Sequence, residues 1–146
     1  MKITKMVQKC LLVLTACVLG AIGSQIDDRL AFKIASFNKC QMQENVPDDI
    51  MDDLFHSRNI EEIEDYKCVS KCLMEEYHTF ENGKINVDNL TSALKGHWED
   101  TAVGDRIVKG SIDCVNSVKE NPDVCVYTYE FFLCLEDVLT KENTEF

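Results

Sequence analysis

Proline and glycine are scarce in this chain, and no stretch alternates apolar and polar residues for long. Only Pro47 and Pro122 occur among the 146 residues, together with six glycines. Alternation is the pattern of a half-buried β-strand, whereas apolar residues that recur every three or four positions indicate a helix. Because helix breakers and alternation are both rare, the sequence predicts a chain that is helical throughout.

Long apolar runs are also missing, except near the start. Residues 1–9 carry three lysines and no acid, residues 10–20 are mostly apolar, and Ala21 and Gly23 are small residues at −3 and −1 of a cleavage before Ser24. This is typical of a secretory signal peptide over residues 1–23. A membrane anchor, the alternative, would need an apolar run of roughly 20 residues. We therefore expect a secreted, extracellular domain over residues 24–146.

Positive charge is the third scarcity. When its three lysines leave with the signal peptide, the chain keeps 12 basic and 26 acidic residues, a net charge of −14. Such a surface repels nucleic acid and anionic membranes, so we expect neither as a partner. The simplest interpretation of the acidity is solubility in a crowded extracellular fluid.

The sequence also lacks the motifs of catalysis and metal binding. No Gly-x-Ser-x-Gly, His-Glu-x-x-His or P-loop pattern occurs. Paired acids such as Asp48 and Asp49 are common on solvated helix faces and do not mark a catalytic dyad. Cys68 and Cys72 lack the closer spacing and the second matching pair of a zinc site. We therefore expect no enzyme activity, no cofactor and no metal.

Six segments have helical periodicity. The third carries Cys68 and Cys72 one turn apart on the same face. After it, Asn82 and Gly83 predict a turn with positive φ, and Gly96 is expected to close the fourth helix. The sixth helix is apolar nearly all round and should be buried. The predicted helices span residues 26–43, 47–57, 61–77, 87–95, 101–119 and 123–141.

Cysteine is the abundant residue. Two of the eight lie in the signal peptide, and an even count of six in a secreted chain predicts a disulfide framework. Cys68 and Cys72 project in parallel, so each should bond to a different element, which makes the third helix a hub. Cys125 and Cys134, if they share a helix, lie about 13 Å apart, beyond the reach of about 7 Å. Excluding these two bonds leaves ten of the fifteen possible pairings.

The cysteine spacing resembles that of the insect odorant-binding protein family, of the six-cysteine pheromone and general odorant-binding type. The spacing is Cys40-x27-Cys68-x3-Cys72-x41-Cys114-x10-Cys125-x8-Cys134, in which the x3 and x8 gaps are the most diagnostic. The resemblance covers essentially the whole chain after the signal peptide. It implies an all-α fold of about six helices around a central apolar cavity, stapled by three interlocked disulfides, Cys40–Cys72, Cys68–Cys125 and Cys114–Cys134.

The resemblance also implies a function. A protein of this kind would bind a small hydrophobic ligand, such as an odorant or a pheromone, reversibly in the cavity. It would carry the ligand through extracellular aqueous fluid to an odorant receptor, as a monomer or a weak homodimer. The alternative is a disulfide-rich interaction protein that binds another protein through its acidic surface and has no small-molecule ligand. A stoichiometric, dry pocket distinguishes the two.

Twelve residues are candidates for lining the cavity, each with ordinary core packing as its alternative. Tyr127, Phe131 and Leu135 follow at i, i+4 and i+8 and share one face. Tyr77 and Tyr127 carry hydroxyls that suit a ligand alcohol, aldehyde or acid. The full set is Phe37, Leu73, Met74, Tyr77, Leu90, Leu94, Trp98, Ile107, Ile112, Tyr127, Phe131 and Leu135.

Four other residues have a possible role beside a simpler alternative. His78 and His97 are candidates for pH sensing, against exposed and unlinked histidines. Phe146 is a candidate lid over the cavity mouth, against a frayed end. Asn89 opens an Asn-Leu-Thr glycosylation sequon, which we take as chance.

Overall fold

The computed structural model describes residues 28–56, 60–98 and 101–142. The predicted signal peptide and Phe146 lie outside these residues. Within them the fold is all-α, as predicted, with a short hairpin as the only addition. The elements are α1 (28–44), α2 (Asp48–Phe55), a 3-10 helix (Ile60–Tyr66), α3 (Cys68–Glu76), β1 (Phe80–Glu81), β2 (Lys84–Ile85), α4 (Val87–Trp98), α5 (Ala102–Ser117) and α6 (Val124–Lys141).

The chain divides into two compact units, Met1–Ala35 and Ser36–Phe146. Of the first unit, the structure describes residues 28–35, which are helical and belong to α1. Three large apolar side chains there are about half exposed, Leu30 at 50%, Phe32 at 49% and Ile34 at 43%. The second unit holds the rest of α1 and every other element.

The predicted hub over residues 61–77 is wrong as a single helix. It is a 3-10 helix followed, after Lys67, by α3. A 3-10 helix has three residues per turn, so positions i and i+3 fall on one edge. Ile60 and Ile63 are buried on that edge and Tyr66 is partly buried, while the four acids between them are exposed. The period of three in Ile-Glu-Glu-Ile-Glu-Asp-Tyr thus suits a 3-10 helix better than an α-helix.

A compact reversal connects α3 to α4. His78 has φ of 55°, and its N–H and that of Thr79 return to the carbonyls of Glu75 and Met74, at 3.0 and 2.8 Å. This is the hydrogen-bond pattern of a Schellman motif, with histidine where glycine is usual. The predicted turn is confirmed, since Asn82 and Gly83 have φ of 54° and 78°. It closes a hairpin that the sequence analysis missed.

The ends of α4, α5 and α6 are set locally. Gly96 does not end α4, which continues to Trp98, because this glycine keeps a negative φ and gives the helix no left-handed stop. The Thr101 hydroxyl accepts from the Gly104 N–H at 3.0 Å and caps α5. Asp123 Oδ1 accepts the N–H groups of Cys125 and Val126 and caps α6.

Two apolar clusters form the core of the second unit, and α6 contributes to both. The N-terminal cluster comprises the buried residues Cys40, Val46, Met51, Leu54, Ile60, Ile63, Val69, Cys72, Leu73 and Tyr129. The C-terminal cluster comprises Met74, Phe80, Ile85, Leu90, Leu94, Ile107, Val108, Cys114, Tyr127, Phe131, Leu135 and Leu139. The predicted burial of α6 is confirmed on the faces that meet these clusters, while Glu130 and Asp137 are exposed.

Candidate functional site

One face of α6 forms the floor of the C-terminal cluster. Tyr127, Phe131, Leu135 and Leu139 are four residues apart, and each is no more than 4% exposed. Their spacing places them in a row along one side of the helix. The row extends the predicted i, i+4, i+8 face by one turn, to Leu139.

Side chains from four other elements pack against this face of α6. Ile107 and Val108 come from α5, Leu90 and Leu94 from α4, and Met74 from α3. The hairpin adds Phe80 and Ile85, which are paired across its two strands. Aromatic, aliphatic and thioether side chains therefore meet in one place, and this mixture adapts well to apolar molecules of varied shape.

Nine of the twelve candidate lining residues belong to this cluster. Two others, Phe37 and Leu73, pack in the N-terminal cluster instead, and Tyr77 is in neither. Leu73 and Met74 pack in different clusters because neighbouring helical residues point about 100° apart. The nine are Met74, Leu90, Leu94, Trp98, Ile107, Ile112, Tyr127, Phe131 and Leu135, of which Trp98 and Ile112 are partly buried.

Several buried members of the cluster were not predicted from the sequence. Phe80 and Ile85 flank Asn82-Gly83, and an Asn-Gly pair between apolar residues is a hairpin signal that could have located them. Leu139 continues the α6 row, and Val108 follows Ile107 on α5. Cys114 was assigned to a disulfide alone, yet it is 2% exposed and packs in the cluster.

Three disulfides tie the surrounding helices together. Cys40–Cys72 joins α1 to α3, Cys68–Cys125 joins α3 to α6, and Cys114–Cys134 joins α5 to α6, with Cα atoms 5.6, 4.5 and 5.8 Å apart. These are the pairings that the resemblance implies. The cysteines of α3 reach to two different helices, so the hub role holds although the hub helix is shorter than predicted.

A buried hydroxyl pair supports the contact between α3 and α6. Ser70 and Thr128 are both fully buried, and their hydroxyl oxygens are 2.9 Å apart. Thr128 also donates to the Val124 carbonyl, one turn back on α6. Because buried hydroxyls need partners, this pair favours one register of the two helices beside the Cys68–Cys125 bond.

A polar edge lies at the hairpin end of the C-terminal cluster. The Tyr127 ring is 6.2 Å from the Phe80 ring, centroid to centroid. Burial raises the pKa of the Tyr127 hydroxyl, the Glu120 carboxylate raises it further, and the Lys84 ammonium opposes them. Lys84 and Glu120 form an ion pair with Nζ and Oε1 3.2 Å apart. A buried aromatic ring thus reaches toward a pair of surface charges.

The remaining candidates are placed around the site. Burial raises the pKa of the half-buried Tyr77 hydroxyl. His78 and His97 are exposed, and the His97 ring stands edge-on to Trp98 with centroids 4.5 Å apart. Asn89 Nδ2 donates to the His78 carbonyl at 2.8 Å, so the amide of the sequon is part of the turn after α3.

A separate pocket of about 210 Å³ opens beside the Cys68–Cys125 bond. It lies outside the C-terminal cluster, and four of its seven residues are charged, so it does not suit an apolar ligand. Its lining residues are Glu44, Asp65, Tyr66, Lys67, Cys68, Asp123 and Cys125.

Residues 28–56, 60–98 and 101–142 contain no group of three His, Cys, Asp or Glu side chains arranged to hold a metal ion. In those three ranges, no helix combines the length and hydropathy needed to cross a bilayer. The side chains of the candidate site are mostly apolar, with the Tyr127 hydroxyl and the Lys84–Glu120 ion pair at its edge.

Comparison with known proteins gave one match. The family model described as the PBP/GOBP family matches residues 24–137, which include all six cysteines of the framework. No curated protein and no solved structure matched the chain.

Proposed function

This chain belongs to the PBP/GOBP family, the insect pheromone-binding and general odorant-binding proteins, and we propose that it binds its ligand within the C-terminal cluster. Proteins of this family are carriers of small hydrophobic ligands such as odorants, and are typically secreted. The ligand would displace water from its own apolar surface on binding, and no bond would be made or broken.

The observation that carries this proposal is the composition and position of the cluster. Side chains from α3, α4, α5, α6 and the hairpin converge there, and ten of the twelve buried members are neither cysteine nor tyrosine but aliphatic, thioether or phenyl groups. Apolar ligand surface that leaves water for these side chains favours binding by roughly 25 cal/mol per Å² of apolar area removed from water. The cluster therefore offers the affinity that an apolar ligand needs.

The disulfides address the stability of such a site. An empty apolar cavity of roughly 300 Å³, the low end for ligand pockets, costs about 7 kcal/mol at about 24 cal/mol per Å³. Three disulfides contribute about 2–4 kcal/mol each, which offsets that cost. A cross-linked helical shell can therefore keep a ligand site from collapsing when it is empty.

The wider role follows from the family. We infer that the signal peptide over residues 1–23 is removed, and that the acidic protein moves through extracellular aqueous fluid as a monomer or weak homodimer. It would deliver its ligand to a receptor. The proposal also covers Phe37, Leu73 and Tyr77, which would contact ligand only if the site extends from the C-terminal cluster toward α3.

A fluorescent apolar probe tests the proposal. The protein is expressed from its full chain, purified with its three disulfides formed, and titrated with 1-aminoanthracene at neutral pH. The proposal predicts saturable binding of about one probe per chain, and displacement of the probe by long-chain alcohols, esters or acids. The same protein reduced and alkylated is the control and should lose binding.

Two results would contradict the proposal. Fully oxidised protein that binds neither the probe nor any radiolabelled apolar compound would favour a protein–protein interaction role through the acidic surface. Binding of many probes per chain without saturation would indicate nonspecific association instead of a site.

A further inference from the structure

We propose that Lys84 and Tyr127 recognise the head group of the ligand, and that this head group is a carboxylate at the end of an apolar chain. The inference rests on the proposed function and makes it more specific. It depends on the polar edge at the hairpin end of the C-terminal cluster.

Tyr127 supplies the first of the two groups. Tyr127 is 4% exposed, and its ring packs within the cluster beside Phe80. No hydrogen bond joins its hydroxyl to another residue within 28–56, 60–98 or 101–142, and the hydroxyl is not left fully buried without a partner. A tyrosine hydroxyl, with an ordinary pKa of about 10, keeps its proton at neutral pH, and burial raises the pKa of this one further. It is therefore a donor at the edge of an apolar site.

The hairpin supplies the second group. Ile85 is 8% exposed and anchors β2 in the cluster, and Lys84 is the residue before it. The positive φ values of Asn82 and Gly83 fix the turn that brings Lys84 opposite Glu81. Successive residues on a strand point to opposite faces, so Lys84 projects outward where Ile85 projects inward. The turn thus fixes the backbone of Lys84 next to a residue of the cluster, and the flexible side chain places the ammonium 3.2 Å from Glu120.

The present partner of Lys84 is easily replaced. Lys84 and Glu120 are 72% and 68% exposed, and exposed ion pairs of this kind are worth about 0–1 kcal/mol. A ligand carboxylate could take the place of Glu120 with no change in the number of ion pairs. It could also accept a hydrogen bond from Tyr127, whereas the contact given for Glu120 is with Lys84.

A carboxylate fits this pair of donors better than other head groups. Lysine and tyrosine both donate to it, and hydrogen bonds to a charged acceptor are roughly twice as strong as neutral ones. An alcohol or an ester accepts hydrogen bonds but carries no charge to attract the ammonium. A fatty acid should therefore bind more tightly than its methyl ester, which has the same chain.

Two cations on α5 have closer partners than Lys84 has. Arg106 on α5 donates to Glu142 at 2.8 Å, and Lys109 donates to Asp113 at 2.8 Å within the same helix. Lys109 is 78% exposed. Lys109→Met is therefore a matched control for Lys84→Met, since it removes an equally exposed lysine from another ion pair.

The experiment measures competition against 1-aminoanthracene by dodecanoic acid, dodecanol and methyl dodecanoate at pH 7.5. The oxidised parent protein should prefer the acid to the ester by at least about threefold. Lys84→Met should weaken acid binding about threefold to fivefold, and Tyr127→Phe about tenfold. Lys84→Met should change ester binding by no more than about twofold, whereas Tyr127→Phe removes a donor that an ester can also use and should weaken ester binding, but less than acid binding. Lys109→Met should leave both affinities unchanged.

Glu120→Gln gives the sharpest result. Because Glu120 competes with the ligand for Lys84, its neutralisation should strengthen acid binding by about twofold, while ester binding stays the same. Urea unfolding of each variant confirms that the fold is retained.

The outcomes separate this inference from the proposed function. Saturable binding of all three ligands with no acid preference, or a ratio of acid to ester affinity that Lys84→Met leaves unchanged, overturns the head-group assignment and keeps the carrier. A loss of acid binding in Lys109→Met as large as in Lys84→Met also overturns it, because the effect would then be one of overall charge. Failure of the parent protein to bind any of the ligands or the probe overturns both.

Discussion

The two apolar clusters share α6, but their boundaries differ. The N-terminal cluster contains both cysteines of the Cys40–Cys72 bond, at 0% and 4% exposure, and it is bordered by a 3-10 helix whose exposed edge is acidic. The C-terminal cluster is enclosed by long helices and a hairpin, and it ends at an aromatic hydroxyl beside an ion pair. We interpret the first as a structural anchor and the second as the ligand site.

On this interpretation, one small helical chain combines a rigid region with a binding region. The hub connects both regions, since Cys72 and Leu73 of α3 belong to the anchor and Met74 to the ligand site. Adjacent residues of one helix thus serve the two regions. The comparison predicts that similar substitutions will affect stability alike in both clusters and ligand binding in only one.

The largest expected effect comes from a matched pair of isoleucines. Ile63 in the N-terminal cluster and Ile107 in the C-terminal cluster are both fully buried. Truncation to alanine at either position should lower the free energy of unfolding by about 2–5 kcal/mol, measured in urea. Only Ile107→Ala should alter probe affinity, by about tenfold. An equal change in probe affinity from Ile63→Ala would contradict the division into anchor and ligand site.

Two glycines test how closely α5 and α6 approach within the ligand site. A Cβ at Gly110 would lie 2.7 Å from Val138 Cγ1, whereas one at Gly96 of α4 would meet nothing within 4 Å. Gly110→Ala should therefore lower the free energy of unfolding by about 1–2 kcal/mol, and Gly96→Ala should raise it by up to about 1 kcal/mol.

A double-mutant cycle isolates the clash. Val138→Ala in the Gly110→Ala background should remove most of the loss, since the shorter side chain leaves room for the new methyl group. Additive effects of the two substitutions would show that Gly110 matters for some other reason than its contact with Val138.

A smaller effect is expected at the turn between the two clusters. His78 has φ of 55° at the position where helices usually end in glycine. His78→Gly should raise the midpoint of thermal unfolding, by an amount equivalent to about 0.5–1 kcal/mol. His97 lies inside α4, where glycine is unfavourable, so His97→Gly should lower the midpoint of thermal unfolding. A loss of stability in His78→Gly would mean that the imidazole, and not the backbone, stabilises this turn.

The smallest effect is a pH dependence at the edge of the anchor. Glu136 accepts the Ile60 N–H at 3.4 Å. Burial raises the pKa of its carboxyl, the bond from Ile60 lowers it, and Glu61 and Asp137 raise it. A raised pKa in the folded state means that the charged form opposes folding. The loss of stability is thus absent in acid. It develops as the pH rises from the pKa of this carboxyl in the unfolded state, about 4.3, through its higher pKa in the folded state.

Glu136→Gln should remove that loss. At pH 7 the variant should be more stable than the parent by about 0.5 kcal/mol, and the difference should disappear below about pH 4. Glu130→Gln, at an exposed position of the same helix, is the control. A difference that persists unchanged in acid would show that the carboxyl does not titrate as described.

Much of this architecture could be predicted from the sequence because its signals are local. The positions of α1, α2, α5 and α6 follow from apolar periodicity and capping residues, and Asn82-Gly83 gives a turn wherever it occurs. The division of the third predicted helix could also have been found, since Ile60, Ile63 and Tyr66 repeat every three residues. The predicted end of α4 at Gly96 was wrong because a glycine can end a helix or continue it, and the neighbouring packing decides which.

The candidate site was predictable only in part, for a different reason. Periodicity shows which face of a helix is buried, but not which buried face it meets. Leu73 and Met74 are equally apolar in the sequence, and only tertiary packing assigns them to different clusters. Lys84 and Glu120 are separated by 35 intervening residues, so the polar edge that they form beside Tyr127 has no local signal.

Contact quenching of Trp98 tests the central claim, that the ligand lies in the C-terminal cluster. Trp98 is the only tryptophan of the chain and packs against this cluster. Bromine quenches indole emission only near contact, so a series of bromododecanoic acids substituted at different carbons reports the location of the ligand. The account predicts that at least one member quenches Trp98 emission saturably, at one ligand per chain. Displacement of the probe by every member of the series with no quenching of Trp98 would contradict it.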